Sequence, residues 1–535
     1  MRGCIVILDI FKAGLVYIVL SQAILSAEFT LIRANGNEPD TLYPAGDESA
    51  LANNIRRDLF EPLMSRDAEG NIILGQAKSY RLDETKTIYT FTLRDDAKWS
   101  DGTPVTAYDF EYAYQYIANP KNHNLYAKNL VMLNILNSQA VTRGKKPLEE
   151  LGAKALNDKI LKITLEKPTY YLLEGLAHVS MSPIPKQMIE KGDTPWISSK
   201  NLLSNGAYML QSWERGKETI LKKNPYYYNV AKVQIESIKY LPINKESLAF
   251  RMYKSGKIDY LDEIPKNRYK ELQNKYPNEL KIAPLLGTFY LAFNLKKPPF
   301  DQLKVRKALS YAIDRETLAN RAMGTGEKPL YTFIPKGIKD YSSIVPRYQE
   351  WTQAQRESKA KKLLGDAGFS IKNPLRFELL YNTNEQNRRV LLAVISMWKK
   401  IFGGQVFAKL KALPWSEYRQ EKHSYGVVRL GWVTNINDAF NMLEIFTQNH
   451  HYNVPSYKNK MFDKRLKQAK QTEKKEDREK IYQELELMIN QDVPVAALFQ
   501  FSTARLIKPY VKGYKSTPLD TVFSKYLSIE KKPND

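Results

Sequence analysis

The chain of 535 residues contains a single cysteine, Cys4. One cysteine cannot pair within its own chain, so an intramolecular disulfide framework is excluded. After residue 27 no apolar run is long enough for a helix to cross a bilayer, and we expect a soluble mature protein. Cys4 precedes the N-terminal apolar run, which is the wrong order for a bacterial lipoprotein anchor.

Motifs for common catalytic and cofactor chemistries are also missing. The sequence holds no HExxH metal site, GxSxG nucleophile elbow, GxxxxGK[ST] phosphate loop or CxxC pair. The segment Gly324-Thr325-Gly326 lacks a third glycine and a strand-to-helix setting, so we interpret it as a turn. Carboxylate pairs such as Asp95-Asp96 and Asp262-Glu263 are explained by solvation. Nothing in the sequence places a nucleophile beside a base, and we predict that the protein is not an enzyme.

Histidine is scarce, with five residues in the chain. The adjacent pair His450-His451 could ligate a metal or haem iron. Neighbouring residues of a strand face opposite ways, however, so we favour a polar surface pair. We predict no metal site and no cofactor.

Positive charge is in excess, because 81 Lys and Arg residues oppose 58 Asp and Glu residues and give a formal net charge of +23. Such a charge permits a nucleic-acid or anionic-surface partner. No Arg-rich tract or zinc-finger spacing concentrates it, so we favour a solvated basic surface and no nucleic acid. The length exceeds what one core usually fills, and we expect two or three domains.

The N-terminal segment has the pattern of a secretory signal. The apolar run Ala13 to Leu25 follows Arg2 and Lys12, and small residues suitable for cleavage come at Ser21-Gln22-Ala23 and Leu25-Ser26-Ala27. We predict a signal peptide over residues 1–27 and export of the mature protein.

The most informative segment is Tyr89 to Tyr114. Apolar and polar residues alternate from Tyr89 to Leu93, as in a half-buried strand. Thr106 and Asp109 have the spacing of a capping box, and apolar residues then recur at helical spacing from Phe110 to Ile117. The segment therefore predicts a strand, a tight turn and a capped helix.

Strand and helix patterns alternate through the rest of the chain, which predicts an α/β protein with mixed sheets flanked by helices. We expect the Lys and Glu face of the last helix to be solvated. The predicted strands are 29–34, 289–293, 375–381 and 426–432, the predicted hairpin is 151–165, and the predicted helices are 49–63, 305–312, 389–401 and 476–491.

The string YTFTLRDDAKWSDGTPVTAYDFEYAY, residues 89–114, closely resembles a signature segment of the extracytoplasmic solute-binding proteins, family 5 (peptide/nickel class). The likeness is strongest to the periplasmic oligopeptide-binding (OppA) type. It continues in NNIRRDLFEPL at 53–63, YKSGKIDY at 253–260 and the segment 288–315, and it covers nearly all of residues 28–535. The resemblance implies a periplasmic-binding-protein-like fold with two lobes and a hinge.

The resemblance also implies three domains whose chain crosses between lobes several times. Domain I is assembled from three parts and encloses domain II in sequence, and domain III follows. The implied boundaries are 28–60, 186–286 and 502–535 for domain I, 61–185 for domain II, and 287–501 for domain III.

A candidate binding motif lies in the predicted strand Val427 to Trp432. A buried arginine needs an anionic partner or several acceptors, so Arg429 is either a ligand clamp or half of a structural ion pair, and its spacing alone favours the ion pair. The resemblance instead places the motif, with Gly431 and Trp432, at the ligand cleft. It also implies a cleft acid and a cleft tyrosine, at Glu48 and Tyr126.

Several positions depart from the family pattern. Asn435 stands where the family has an Asp that pairs with the terminal amine of a peptide. Met323 and Asn387 stand where the family has a Lys and a His that meet peptide carboxylates. Gln420 lies near the position where the family has a second cleft Arg. These changes together suggest a ligand with blocked ends, one longer than the cleft, or one that is not an ordinary peptide. Nearby charged residues, Asp438 and Arg388, could substitute.

The resemblance implies the function as well: a periplasmic receptor of an ABC importer, a monomer, that closes on a peptide or peptide-like ligand and delivers it to an inner-membrane permease. Two alternatives stay open. One is a haem- or other non-peptide-binding receptor on the same fold, and the other is a secreted peptide hydrolase.

The substitution Asn435→Asp tests the altered amine anchor. If the natural ligand has no free amine there, the new carboxylate is buried without a partner, and we expect weaker binding, by up to several kcal/mol. A ligand with a free amine would bind on the order of 1–2 kcal/mol more tightly, because a charge-assisted hydrogen bond replaces a neutral one. We expect weaker binding. Calorimetry of the wild type and the variant with the co-purified ligand decides between them.

Overall fold

The structure is a computed structural model that describes residues 30–46, 49–186, 202–434 and 436–532. It divides into two compact units. Unit 1 comprises residues up to 281 together with 505–516 and 521 onward, and unit 2 comprises 282–504 and 517–520. The limits of unit 2 lie close to those predicted for domain III, and the division of the rest into domains I and II stays a prediction.

The elements follow in chain order. The strands are β1 (Thr30–Ala34), β2 (Met64–Arg66), β3 (Ile72–Leu74), β4 (Ala77–Leu82), β5 (Ile88–Leu93), β6 (Ala153–Asn157), β7 (Ile160–Thr164), β8 (Tyr208–Glu214), β9 (Glu218–Lys223), β10 (Ser237–Leu241), β11 (Tyr260–Leu261), β12 (Leu280–Phe293), β13 (Lys328–Pro329), β14 (Leu375–Asn382), β15 (Val406–Leu413), β16 (Val427–Val433), β17 (Val495–Ile507), β18 (Val511–Lys512) and β19 (Ser528–Ile529). The α-helices are α1 (Ala50–Leu59), α2 (Ala107–Ala118), α3 (Ala127–Met132), α4 (Ser138–Thr142), α5 (Leu172–Leu176), α6 (Glu246–Lys254), α7 (Tyr269–Lys275), α8 (Leu303–Tyr311), α9 (Arg315–Thr317), α10 (Gln353–Asp366), α11 (Glu385–Phe402), α12 (Trp415–Glu421), α13 (Ala439–Leu443), α14 (Lys460–Gln471) and α15 (Lys475–Asp492).

Unit 1 contains a mixed sheet in the order β8-β9-β10-β1-β11. The first strand, β1, runs parallel to both of its neighbours, with Leu31 opposite Ile238 and Arg33 opposite Tyr260. The strands β8, β9 and β10 are antiparallel. Parallel strands need crossover connections, which the helical segments between β1 and β10 provide.

A separate antiparallel sheet in unit 1 has the order β4-β5-β7-β6. Its strand β5 begins the segment 89–114, for which the sequence predicts a strand, a tight turn and a capped helix. All three are confirmed: they are β5, a turn with Gly102 in the left-handed conformation, and α2. The capping box is present, since the backbone N–H of Thr106 donates to Asp109 Oδ2 at 2.8 Å. The predicted hairpin is β6 and β7.

Unit 2 contains a mixed sheet in the order β15-β14-β16-β12-β17, with β13 paired to β17. The strand β14 runs parallel to β15 and β16, whereas β12 and β16 are antiparallel. Apolar side chains of these strands pack against α8 and α11 in one core. The indole N–H of Trp398 in α11 donates to the carbonyl of Leu309 in α8 at 2.9 Å, which ties the two helices together.

Helix α15 corrects one expectation. The sequence pattern predicts a solvated Glu face, but Glu486 has 0% exposure. Its carboxylate accepts hydrogen bonds from the backbone N–H groups of Ile334 and Ile344, both at 3.0 Å, and from the hydroxyl of Tyr341 at 2.6 Å. Burial raises the pKa of Glu486, and these hydrogen bonds oppose the shift. The side chain therefore holds a loop of unit 2 in place.

No helix within the described part of the chain is long and apolar enough to cross a membrane.

We predict that Glu486→Ala lowers the free energy of unfolding by about 3 kcal/mol, because it leaves the buried N–H of Ile334, the partly buried N–H of Ile344 and the hydroxyl of Tyr341 without this acceptor. The matched control is Glu484→Ala in the same helix, which removes an exposed ion pair with Arg465 and should cost less than about 1 kcal/mol. Urea unfolding followed by circular dichroism measures both. Equal midpoints for the two variants would contradict the structural role of Glu486.

Candidate functional site

The arginine of the candidate binding motif lies in the middle of the unit 2 sheet. Arg429 belongs to β16 and pairs with Leu291 of β12. Its Nη1 donates to Asn382 Oδ1 at 3.3 Å, and its guanidinium carbon lies 4.3 Å from the ring centre of Phe289. Its Nε atom is buried and has no hydrogen-bond partner among the described residues.

Among the described residues, no carboxylate pairs with the charge of Arg429. The ionisable side chains near it are the phenols of Tyr418 and Tyr290, and burial lowers the pKa of the guanidinium to about 10. The group therefore stays charged at neutral pH. The structural ion pair that the spacing favours does not form within the described ranges. A desolvated cation with unused donors is suited to an anionic group of a ligand.

An aromatic cluster of Phe289, Phe499 and Phe501 packs beside the arginine. The rings of Phe289 and Phe499 stack at 4.6 Å, and Phe501 meets Phe289 edge-on at 6.0 Å. A side chain at Gly431 would place Cβ 2.9 Å from Phe501 Cζ. Gly431 thus allows Phe501 to pack against β16, which makes its contribution to the site one of packing. No sequence pattern pointed to these three phenylalanines as site residues.

The amide that contacts the guanidinium also contacts a second amide. The side chain of Asn387 in α11 donates to Asn382 Oδ1 at 3.1 Å, the same oxygen that accepts from Arg429. Gln386 donates to the sulfur of Met323 at 3.3 Å. The structure thus brings Asn387 and Arg429 together through Asn382. Sequence reasoning missed Asn382, although its position at the carboxyl end of a strand parallel to both of its neighbours is a usual place for ligand contacts.

Two further predicted site residues are Trp432, near the end of β16, and Asp438, which follows that strand. The indole N–H of Trp432 donates to the carbonyl of Asn441 at 3.0 Å, and its ring lies 5.0 Å from that of Tyr452. Asp438 holds the start of α13. Its Oδ1 caps α13 by accepting from the N–H of Phe440 at 2.7 Å and also accepts from the hydroxyl of Tyr482 at 2.8 Å. These bonds involve one of the two carboxylate oxygens, and a ligand contact of Asp438 stays a prediction.

Unit 1 contributes a separate candidate patch. Tyr126 is buried, and its ring lies 5.4 Å from that of His178, which sequence reasoning missed. The Nδ1 atom of His178 accepts from the backbone N–H of Ser180 at 3.2 Å. Burial, with three nearby arginines, lowers the pKa of His178 to about 3, so the imidazole is neutral. The predicted site residues Glu48 and Asn435 lie outside the described residues.

The histidine pair needs one correction. His450 and His451 lie in a turn, not on a strand, so the alternation argument does not apply to them. His423 lies near His451, with 6.4 Å between their ring centres. No group of three or more His, Cys, Asp or Glu side chains that could hold a metal ion occurs in the part of the chain that the structure describes.

Comparisons with known proteins agree with this fold. The family model of bacterial extracellular solute-binding proteins, family 5 Middle, matches residues 71–453. The chain is 36% identical to the periplasmic oligopeptide-binding protein OppA of Salmonella typhimurium over 506 residues, which are 94% of this chain and 93% of OppA. It is 33% identical to the probable deoxycholate-binding periplasmic protein YgiS of Escherichia coli over 499 residues, 93% of this chain and 92% of YgiS.

A solved structure shows the same architecture. The structure of the Escherichia coli murein tripeptide-binding protein MppA is similar to this chain with a TM-score of 0.81 and 35% identity, and the match covers 94% of this chain and 98% of MppA. The predicted α/β fold class of the periplasmic binding proteins is confirmed. The chain belongs to the bacterial extracellular solute-binding proteins of family 5, whose members bind their substrates without transforming them.

Proposed function

We propose that the protein is the periplasmic substrate-binding component of an ABC importer and that it binds peptides or peptide-like ligands through an anionic group. The observation that carries the ligand class is Arg429, a desolvated guanidinium whose described hydrogen-bond partner is a neutral amide oxygen. An uncompensated buried charge is unfavourable, and a ligand carboxylate would satisfy it with charge-assisted hydrogen bonds. Peptides carry such a group at their C-terminus and in acidic side chains.

The relatives support a peptide and also define a second candidate. OppA and MppA bind peptides according to their names, whereas YgiS is named as a probable deoxycholate-binding protein. Deoxycholate is also a carboxylate, so Arg429 suits both classes. The neutral Met323 and Asn387 favour a ligand with fewer charges than an ordinary free peptide. A non-peptide organic anion is therefore the alternative.

Export and transport complete the proposal. The signal-like segment at residues 1–27 supports a periplasmic location, and the relatives named above are periplasmic proteins. We infer that a monomer closes its two lobes on the ligand and presents it to an inner-membrane permease, as expected for a binder that must hold and then release its cargo.

We predict that Arg429→Met weakens binding of the co-purified ligand by about 2–3 kcal/mol, because the variant removes a charge-assisted contact to the ligand anion. Mass spectrometry of ligand released from the wild-type protein identifies the compound, and calorimetry with the purified compound measures affinity. The matched control, Arg347→Met, removes an exposed arginine of unit 2 and should leave affinity unchanged. A released ligand without an anionic group, or an Arg429→Met protein of wild-type affinity, would refute the proposal.

Ligand-driven closure is tested in solution. The radius of gyration from small-angle X-ray scattering should decrease when the ligand saturates the protein, because hinge closure brings mass toward the centre. The forward scattering gives the molecular mass in the same experiment and should correspond to a monomer. Identical scattering from ligand-free and saturated protein would remove closure from the mechanism.

A further inference from the structure

Helix α14 carries a strong excess of positive charge. Of its twelve residues, five are Lys or Arg, and one, Asp463, is acidic. The buried residues of the helix are Phe462, Leu466 and Ala469, which define the face that packs against the rest of unit 2. The opposite face of the helix therefore points to solvent.

Three lysines occupy this outward face. Lys460, Lys464 and Lys467 recur at spacings of four and three residues, so they lie on one side of the helix, opposite its buried residues. All three are exposed, and none of their ammonium groups has an ion-pair partner among the described residues. They span about 10 Å along the helix axis, at a rise of about 1.5 Å per residue. Like charges at this spacing repel one another, and an anionic partner relieves the repulsion.

The neighbouring acidic groups of the helix pair do not neutralise these lysines. Glu484 of α15 forms an ion pair with Arg465, whose Nε donates to the carboxylate at 2.8 Å. Oδ1 of Asp463 accepts from the backbone N–H of Gln448 at 3.4 Å. The outward face of α14 therefore keeps a net positive charge.

Exposed apolar side chains accompany the lysines. Met461 in the first turn of α14 is 53% exposed, and Leu487 of α15 is 45% exposed. The connection between the two helices is short, 472–474, so the helices are antiparallel, and the ion pair between Arg465 and Glu484 fixes their register. Met461 and Leu487 both lie on the side of that ion pair away from the connection. Basic and apolar side chains next to each other are typical of helices that lie in a membrane interface.

We propose that the outward face of α14, formed by Lys460, Lys464 and Lys467 with Met461 and Leu487 beside it, docks on a bilayer that contains anionic phospholipids. The ammonium groups contact lipid phosphates, and the two apolar side chains enter the headgroup region. Docking holds the protein at the membrane surface. The benefit for transport rests on the proposed function, because it keeps a receptor near its permease, whereas docking itself needs no peptide ligand.

Two observations favour a bilayer over an acidic protein as the partner. A bilayer presents phosphates over its whole surface, so it meets lysines on a straight helix without a matching arrangement of carboxylates. The exposed Met461 and Leu487 also gain free energy when they leave water. The net charge of +23 adds a diffuse attraction to any anionic surface. An experiment must therefore separate this diffuse attraction from the contribution of the face.

Sedimentation of the full chain with lipid vesicles tests the proposal. One set of vesicles is phosphatidylcholine alone, which reports any contribution of the apolar run 13–25, and the other contains phosphatidylcholine and phosphatidylglycerol in equal parts. The wild type should bind the mixed vesicles and be released in about 1 M salt, where the Debye length falls to about 3 Å. The triple variant Lys460→Gln, Lys464→Gln, Lys467→Gln should bind about 100-fold more weakly, because each lysine near an anionic surface contributes about fivefold.

Two further variants serve as controls. Replacement of Lys359, Lys361 and Lys362 by Gln removes the same charge from exposed positions of α10, which packs against α8 in the same unit. This variant should stay within about threefold of the wild type, because charges beyond about 10 Å from the lipid are screened at about 0.1 M salt. The double variant Met461→Ser, Leu487→Ser should bind mixed vesicles about fivefold more weakly. Its binding to poly-L-glutamate should equal that of the wild type.

The outcomes decide between the partners. The proposal is overturned if the wild type does not bind mixed vesicles, if it binds phosphatidylcholine vesicles equally well, or if the two triple variants lose binding equally. A double variant with wild-type vesicle binding, in a protein that binds poly-L-glutamate as tightly as vesicles, identifies an acidic protein as the partner and refutes the bilayer. Circular dichroism verifies that each variant is folded. Peptide binding, measured separately by calorimetry, decides the proposed function and leaves this test unaffected.

Discussion

The structure of the candidate site depends on one constraint, which is the charge of Arg429 in a place that water reaches poorly. The described structure meets it with an aromatic face, Phe289, and a neutral amide oxygen of Asn382. Neither neutralises the charge. Under the proposed function, an anionic group of the ligand supplies the partner that the described structure does not give this cation.

The neutral character of the surroundings has a consequence for selectivity. Where the family resemblance implies basic residues, this chain has Met323 and Asn387, and the structure occupies both with local contacts to Gln386 and Asn382. If Arg429 binds the ligand as proposed, it accounts for one anionic group, and we expect shape, aromatic contacts and neutral hydrogen bonds to recognise the rest. The relatives OppA and YgiS, whose names give different ligands, are compatible with separate recognition of the anionic group and of the rest of the ligand.

Local patterns predicted local structure well. The capping box at Thr106 and Asp109, the hairpin of β6 and β7 and the helix stripe in α11 depend on residues close in sequence, so their spacing was sufficient. The strand β15 was missed because its exposed lysines interrupt the apolar pattern at the edge of the sheet. Glu486 was misjudged because its acceptor role depends on loop N–H groups more than 100 residues away.

By itself the sequence determined the α/β class, because strand and helix periodicity is a short-range pattern. It also determined the family and the candidate arginine, because both depend on short sequence motifs. Only the tertiary structure decided which residues accompany Arg429. Asn382, Asn387 and Phe289 come from three elements, and Oδ1 of Asp438 caps a helix, a role that its place in the sequence did not indicate. The reason is physical: a hydrogen bond or a ring contact depends on distance in space, and distance along the chain does not encode it.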